Sequence, residues 1–170
     1  VDDALAHGGN VKQVTFDEKR GIIAASWTYL PGILLFPMDD EGDENWRIYK
    51  VDTRVEKPQP AILTDTKKVQ ARIEAVSSAL PDTVVIALND RDPRFHDLYT
   101  LNVETGEKRL LYENTEEFGD FHLDHELKLR LASKQQDDAS IICRKAERGE
   151  DGSISGWTDF RHIPFEDAMD

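Results

Sequence analysis

The 170-residue chain has little of several features that define common protein classes. Its one cysteine, Cys143, excludes an internal disulfide and favours a reducing compartment. The longest nearly uninterrupted apolar run covers residues 32–38 and contains Pro37. A membrane-spanning helix needs about 20 apolar residues, so the sequence predicts none. No basic and apolar leader opens the chain, and we therefore expect a cytoplasmic protein without a signal peptide.

Positive charge is also scarce. The chain has 21 Lys and Arg residues against 34 Asp and Glu residues, which gives a net charge of −13 at pH 7. Proteins that bind nucleic acids usually present a basic surface to the phosphates, whereas the basic clusters here, Lys67-Lys68 and residues 144–148, are short and diluted by acids. The charge therefore argues against nucleic acid as a partner and is most simply explained by solubility.

The apolar residues come in short runs typical of β-strands. Segments 21–26, 33–36 and 83–88 have strand length and are rich in branched side chains, and Asp, Gly, Asn and Pro separate them. Residues 127–131 alternate leucine with cations, which predicts a strand with three leucines on one face. Residues 103–107 read as a hairpin turn with a positive φ at Gly106. The sequence predicts an all-β fold.

A repeat of 50 residues gives these strands an order. Residues 33–52 align without gaps on residues 83–102, so that Asp40 meets Asp90 and Tyr49 meets Tyr99. A third, less regular copy follows. Such a period, with four short strands per copy, is typical of β-propeller blades. We predict that 1–170 is a partial β-propeller domain with blades at 20–64, 71–113 and 120–165, and that 11–16 is the outer strand of a preceding blade. A single β-sandwich of about 13 strands is the alternative.

Two segments carry a family resemblance. Residues 42–52 (GDENWRIYKVD) and 89–99 (NDRDPRFHDLY) resemble blade motifs of bacterial prolyl-oligopeptidase-family serine peptidases, most closely the acylaminoacyl-peptidase and dipeptidyl-peptidase-like branch. Residues 69–73 and the turn 104–107 fit the same pattern, and the resemblance covers about residues 11 to 165. It implies an N-terminal propeller that caps an α/β-hydrolase domain with a Ser-Asp-His triad and limits access to short peptides.

The chain has no sequence signature of that catalytic domain. A nucleophile elbow needs Gly-x-Ser-x-Gly, and the nearest string, residues 152–156, has Ile154 at its centre and lies in an expected hairpin loop. The string His7-Gly8-Gly9 is similar to the oxyanion loop of esterases, but no sequence pattern of a hydrolase sheet surrounds it. We therefore expect no catalytic residue in this chain and no turnover by it alone, although the parent protein is expected to be a serine peptidase.

Candidate metal sites are equally weak. Asp39, Asp40, Asp43 and Glu44 cluster around Gly42, but their spacing is not that of a calcium loop. His122 and His125 are three residues apart, which on a strand places them on opposite faces. We predict no metal and no other cofactor.

The turns that join the second and third strands of the first two blades are the best candidates for function. Both turns should emerge on the same face of a propeller, where Arg91 and Arg94 are placed to pair with acids of the neighbouring turn. We predict there a substrate-gating or interdomain ridge, with a purely structural ridge of ion pairs as the alternative. Each exposed ion pair is worth ~0–1 kcal/mol. Its residues are Asp40, Asp43, Glu44, Asp90, Arg91, Asp92 and Arg94.

Two functions remain open at this point. The chain is either a non-catalytic, substrate-gating propeller segment of a serine exopeptidase or oligopeptidase, or part of a non-enzymatic propeller that binds proteins or peptides. The expected partners are the absent α/β-hydrolase domain, the remaining blades and short peptides. A run of about three blades leaves two blade faces open, so we also expect the isolated chain to self-associate.

Overall fold

The computed structural model describes residues 12–15, 21–40, 42–64 and 68–168 and contains three four-stranded sheets. The first sheet consists of β1 (Ser26–Trp27), β2 (Ile33–Met38), β3 (Arg47–Asp52) and β4 (Ala61–Ile62). The second consists of β5 (Ala71–Val76), β6 (Thr83–Asp92), β7 (Phe95–Asn102) and β8 (Lys108–Tyr112). The third consists of β9 (Asp120–Leu123), β10 (Leu129–Gln135), β11 (Ile141–Arg148) and β12 (Ile154–Ile163). Each sheet is an antiparallel meander in which neighbours in sequence are neighbours in space.

This arrangement confirms the predicted fold class. The described residues form three sheets of four strands, whereas a sandwich would have two larger sheets. The only helix within them is α1 (Phe165–Ala168), a single turn after the last strand. The architecture is that of consecutive propeller blades.

The second sheet is buried on both faces because β6 alternates between two cores. Val84, Ile86 and Leu88 pack against the first sheet, together with Ile33, Leu35 and Ile48. Val85 and Ala87 point the other way and pack against the third sheet, together with Leu98, Phe118, Phe121 and Leu129. Val84, Val85, Ile86 and Ala87 are fully buried. A strand buried on both sides reads as an unbroken apolar run, which is what residues 84–88 are.

The strand register confirms the 50-residue repeat. Tyr49 on β3 lies opposite Phe36 on β2, and Tyr99 on β7 lies opposite Ile86 on β6. Since Phe36 and Ile86 are also 50 residues apart, the two tyrosines occupy equivalent positions in adjacent sheets.

The turns after the third strands repeat as well. A side-chain oxygen of Asp52 accepts a hydrogen bond from the backbone N–H of Arg54 at 2.9 Å, and Asn102 accepts one from Glu104 at 3.0 Å. These Asx turns explain why both third strands end in Asp or Asn. In the second of these turns Gly106 has a φ of 76°, as the sequence predicted.

Three sequence expectations differ from the structure. Residues 12–15 of the expected outer strand 11–16 have no regular structure, and residues 11 and 16 lie outside the described part. The third sheet ends at Ile163 rather than at Phe165, because Pro164 and the turn of α1 follow it. Leu127 is buried as expected but precedes β10, in a turn where its φ is 58°.

No helix in the described ranges is long and apolar enough to cross a lipid bilayer.

Candidate functional site

The hairpins β2–β3 and β6–β7, which contain the predicted ridge, lie at the same end of the first two sheets. The backbone N–H of Ala71 on β5 donates to the carbonyl of Trp46, next to the first hairpin, at 2.8 Å. The neighbouring N–H of Gln70 donates to the side chain of Asn89, in the second hairpin, at 2.6 Å. The start of β5 therefore holds both hairpins on one face, which we call the hairpin face.

In the first hairpin, Asp43 organises the turn. Its carboxylate accepts hydrogen bonds from the backbone N–H groups of Asp40 at 3.1 Å and Asn45 at 3.0 Å. It also accepts one from the Asn45 side chain at 3.0 Å, which is the largest contribution that lowers the pKa of Asp43. The guanidinium of Arg47 lies 3.7 Å from Asp40 and 3.8 Å from Asp43. Glu44, the remaining member of the ridge here, has a φ of 56°.

In the second hairpin, the strongest contact is buried. Asp97 is 1% exposed and accepts two hydrogen bonds from the guanidinium of Arg91, at 2.7 and 2.8 Å. It accepts a third from the backbone N–H of Asn114 at 2.8 Å. Asn114 in turn exchanges two hydrogen bonds with the backbone of Phe118, both at 2.9 Å. This chain of contacts connects the hairpin to the loop that leads into the third sheet.

The other two acids of the second hairpin have exposed partners. Asp92 pairs with Arg94 at 2.8 Å, and hydrogen bonds from that arginine lower the pKa of Asp92 to about 2. Asp90 accepts a hydrogen bond from the hydroxyl of Tyr99 at 3.0 Å and lies 3.3 Å from the ammonium of Lys108. Burial, followed by the contact with Asp90, raises the pKa of Tyr99 to about 12.

The ion pairs of the ridge form within each hairpin and its own sheet. Arg91 pairs with Asp97 and Arg94 with Asp92, so both have partners other than the neighbouring acids that the sequence suggested. Arg47, which the sequence analysis did not single out, pairs with Asp40 and Asp43 instead. The expected pairing across the blade boundary is wrong, because a carboxylate two to six residues away in the same hairpin is reached with less loss of side-chain freedom. All seven predicted residues nevertheless lie in the two hairpins.

A cleft of about 400 Å³ opens between the first and second sheets on the hairpin face. Its walls include Pro37 from the end of β2, Trp46 from the start of β3 and Ile73 from β5. Ile23 closes one side and is 73% exposed. No local sequence pattern indicates this cleft, because its lining comes from four separate segments.

A group of titratable side chains lies beside β5. Arg72 pairs with Glu74 at 3.3 Å, and burial raises the pKa of Glu74. His96 is half-buried, and its Nε2 atom has no hydrogen-bond partner among the described residues. Burial, and then the nearby charge of Arg72, lower the pKa of His96 to about 4. The imidazole is therefore neutral in the folded protein at pH 7.

The side chains of Ser140, His162 and Asp138 lie close together, but their hydrogen bonds do not link them in the sequence that a catalytic triad requires. Ser140 is 2% exposed, and its hydroxyl lies 2.6 Å from Asp138 and 3.0 Å from Nε2 of His162. In a catalytic triad the carboxylate orients the histidine, which then activates the serine. Here the carboxylate contacts the serine directly and holds the turn between β10 and β11, so this contact is structural.

The remaining sequence candidates have ordinary surroundings. Ser153 donates to Asp151 at 2.6 Å in the β11–β12 hairpin. The Gly-x-Ser-like string begins in this predicted turn, but its residues 154–156 are the start of β12. The string at 7–9 lies outside the described residues. Over the described ranges, no three His, Cys, Asp or Glu side chains converge as metal ligands would.

Comparison with known proteins places this geometry in context. The chain is 33% identical over 158 residues to dipeptidyl aminopeptidase BIII of Pseudoxanthomonas mexicana, which covers 93% of the chain and 22% of that relative. It is 31% identical over 164 residues to dipeptidyl peptidase family member 6 of Caenorhabditis elegans, which covers 92% of the chain and 22% of that relative. The chain thus spans about a fifth of the length of these relatives. No protein-family profile matches it.

These similarities confirm the resemblance inferred from the sequence. Both relatives belong to the dipeptidyl-peptidase-like side of the prolyl-oligopeptidase family, and the match falls in their N-terminal segment. The acylaminoacyl-peptidase branch stays a prediction.

The two arginine–aspartate pairs of the second hairpin should differ in their contribution to stability. Asp97→Asn removes the charge that balances Arg91 in a buried site, so we expect the free energy of unfolding to fall by roughly 2–4 kcal/mol. Asp92→Asn in the exposed pair with Arg94 is the matched control and should cost about 0–1 kcal/mol. Urea unfolding followed by tryptophan fluorescence measures both. Equal losses would show that the Asp97 network does not hold the hairpin.

Stability should also depend on pH through His96. The unfolded chain takes up a proton on this residue near pH 6.5, whereas the folded chain does so only near pH 4. The contribution is therefore complete above pH 6.5 and is lost as the pH falls towards 4, by about 1–2 kcal/mol at pH 5. His96→Gln should remove this part of the pH dependence, and His122→Gln, at an exposed site on β9, should retain it. Unfolding curves at pH 7 and 5 that do not distinguish the two variants would contradict the assignment.

Proposed function

We propose that this chain is a non-catalytic propeller segment of a dipeptidyl-peptidase-like serine peptidase, and that its hairpin face helps to control which peptides reach the catalytic domain. The observation that carries the proposal is the similarity to two dipeptidyl peptidases across more than nine-tenths of the chain. Since the chain covers about a fifth of each relative, an α/β-hydrolase domain in the rest of the protein would supply the nucleophile, base and oxyanion hole.

The outward face of the first sheet supports a larger propeller. Leu34, Phe36, Tyr49 and Val51 lie on that face. Adding 50 to each number gives Val84, Ile86, Tyr99 and Leu101, which pack against the first sheet. The outward face of the first sheet therefore repeats a face that is already an interface between blades. Phe36 and Val51 on this face are buried, and we expect another blade of the same protein to pack against its exposed part. Trp27, paired with Leu34 on the same face, is 60% exposed.

A repeated lysine contact also supports a larger propeller. Lys50 of the first sheet donates to the carbonyl of Val103 at 2.7 Å, and so joins the turn after the third strand of the next sheet. Lys12 donates to the equivalent carbonyl of Thr53 at 3.2 Å and to that of Val55. A residue before the first sheet thus makes the contact that a preceding blade would make. Without further blades, we expect the isolated chain to self-associate through its outward faces.

The hairpin face has the properties of a selective surface. Hydrogen bonds within the hairpins hold the carboxylates of Asp43, Asp92 and Asp97, so their positions are defined before any ligand arrives. A rigid, charged rim discriminates among peptides by electrostatic complementarity at little entropic cost. The single cysteine, which can form no disulfide within the chain, favours a reducing compartment, and we propose the cytoplasm as the location of the protein.

A fluorophosphonate probe, which reacts with active-site serines, tests whether catalysis belongs to the full-length protein and not to the isolated chain. We expect it to label the full-length gene product, which should cleave dipeptide anilides, and not to label the isolated 170-residue chain. Heat-denatured full-length protein is the control for non-specific labelling. Inhibitor-sensitive turnover by the isolated chain would overturn its non-catalytic role. An unlabelled full-length product would favour the alternative, a propeller that binds proteins or peptides without catalysis.

The gating role predicts a charge effect that depends on substrate size. In the full-length protein, Arg94→Glu on the hairpin face should change KM for peptides of about six residues by roughly threefold or more, because Arg94 is 70% exposed on the rim. The value for a dipeptide anilide should hardly change, because so small a substrate touches less of the rim. Arg109→Glu is the matched control, since Arg109 is 75% exposed near the other end of the second sheet. Equal effects of both variants on both substrates would contradict gating by this face.

A further inference from the structure

The hydrogen-bond ladder of the first sheet stops early on the hairpin face. β1 begins at Ser26, which pairs with Leu35 of β2. Two residues further along the same ladder, the next pair on that face of the sheet would be Ala24 and Pro37. Pro37 has no N–H to donate, and the ladder ends before it. In the second sheet the equivalent residue is Ala87, which pairs with Arg72, and the ladder continues to Ala71 opposite Leu88. Because of this one proline, the residues before β1 do not pair with β2, whereas their equivalents in the second sheet do pair with β6.

The released segment forms the side of the cleft between the sheets. Ile23, Ala24 and Ser26 line it, facing Pro37 and Trp46. Residues 22–24 make no hydrogen bond within the described part of the chain, and Ile23 is 73% exposed. An exposed length of backbone beside an apolar cleft is the arrangement to which extended peptides add as a strand.

The cleft has room for one large side chain. Its volume of about 400 Å³ lies at the lower end of the range of small-ligand sites. Ile23, Pro37, Trp46 and Ile73 give it largely apolar walls. Arg72 also lines the cleft, and its charge is paired with that of Glu74 at 3.3 Å. The cleft therefore fits an aromatic or large aliphatic side chain, whose burial would displace water from the apolar surfaces.

The charges around the cleft favour a basic ligand. Segments 39–47 and 90–97, which form the two hairpins, contain eight carboxylic acids and three arginines. Asp40 and Asp90 thus lie in a rim of net negative charge, within a chain whose total is −13. Such a rim attracts cationic segments and repels acidic ones.

We propose, on the basis of the proposed function, that residues 22–24 and the cleft beside them bind an extended peptide by strand addition. The peptide pairs its backbone with residues 22–24 and places one apolar side chain in the cleft. Basic residues on either side of that side chain face the hairpin carboxylates. This site deepens the gating role, because it names the class of peptide that the hairpin face retains.

Fluorescence anisotropy tests the site without any turnover. The probe is an acetylated, fluorescein-labelled hexapeptide with a central phenylalanine between two lysines, added to full-length protein after treatment with fluorophosphonate. We expect saturable binding that weakens by roughly tenfold in Ile23→Asp, since a carboxylate replaces an apolar wall. Phe160→Asp is the matched control: Phe160 is 60% exposed on β12, away from the cleft, and this variant should bind as the wild type does.

Further variants separate the parts of the proposal. Pro37→Ala restores the N–H that Ala87 has, so it should let the ladder extend and weaken binding by about threefold or more. Probes with serine for phenylalanine, or glutamate for both lysines, should each bind at least about fivefold more weakly. Equal binding by wild type and Ile23→Asp, or no saturation at millimolar protein, overturns the site. If the full-length protein does not bind and Ile23→Asp alone lowers its Tm, a segment of the same protein covers the cleft, and the peptide site is overturned.

The two proposals fail in distinguishable ways. Absence of fluorophosphonate labelling with intact, Ile23-dependent peptide binding would remove the peptidase assignment and leave the peptide site. Labelling without such binding would remove the site and leave the peptidase assignment.

Discussion

The position of the β6–β7 hairpin, which carries half of the hairpin face, depends on the burial of β6 from both sides. Its alternate side chains enter two separate cores, and a strand packed in this way can neither tilt nor shift its register without exposing large apolar side chains. The β6–β7 hairpin extends directly from this strand and inherits its rigidity. Among the described residues, the second sheet is the one whose side chains enter both of the apolar clusters that lie between sheets.

Polar contacts then transmit that rigidity across the boundaries between sheets. The Arg91–Asp97–Asn114 chain fixes the loop into the third sheet, where Phe118 packs against Trp157 with ring centroids 4.6 Å apart. On the other side, Lys50 joins the first sheet to the second by donating to backbone carbonyls. Blade packing is apolar in the middle and polar at its ends, an arrangement that leaves the hairpins exposed and still ordered.

One structural departure from the repeat underlies the proposed peptide site. At equivalent positions the first sheet has Pro37 and the second has Ala87, and only the second continues its inner ladder. A proline inside a strand costs a hydrogen bond, and a protein retains such a cost where an edge is useful. The cleft beside residues 22–24 is the visible result.

The sequence by itself determined the fold class, the period and the equivalence of Tyr49 with Tyr99, because short strands and their turns are set by local composition and a two-residue alternation. It also located the two hairpins, since turn acids next to apolar strands are a local signal. Tertiary structure decided that Asp97 is buried, and this burial favours the carboxylate six residues away in the same hairpin as the partner of Arg91, rather than an acid of the neighbouring hairpin. Likewise, only packing could bring Ile23, Pro37, Trp46 and Ile73 around one cleft. Contacts between residues far apart in the chain depend on how sheets lie against each other, and no local pattern encodes that distance.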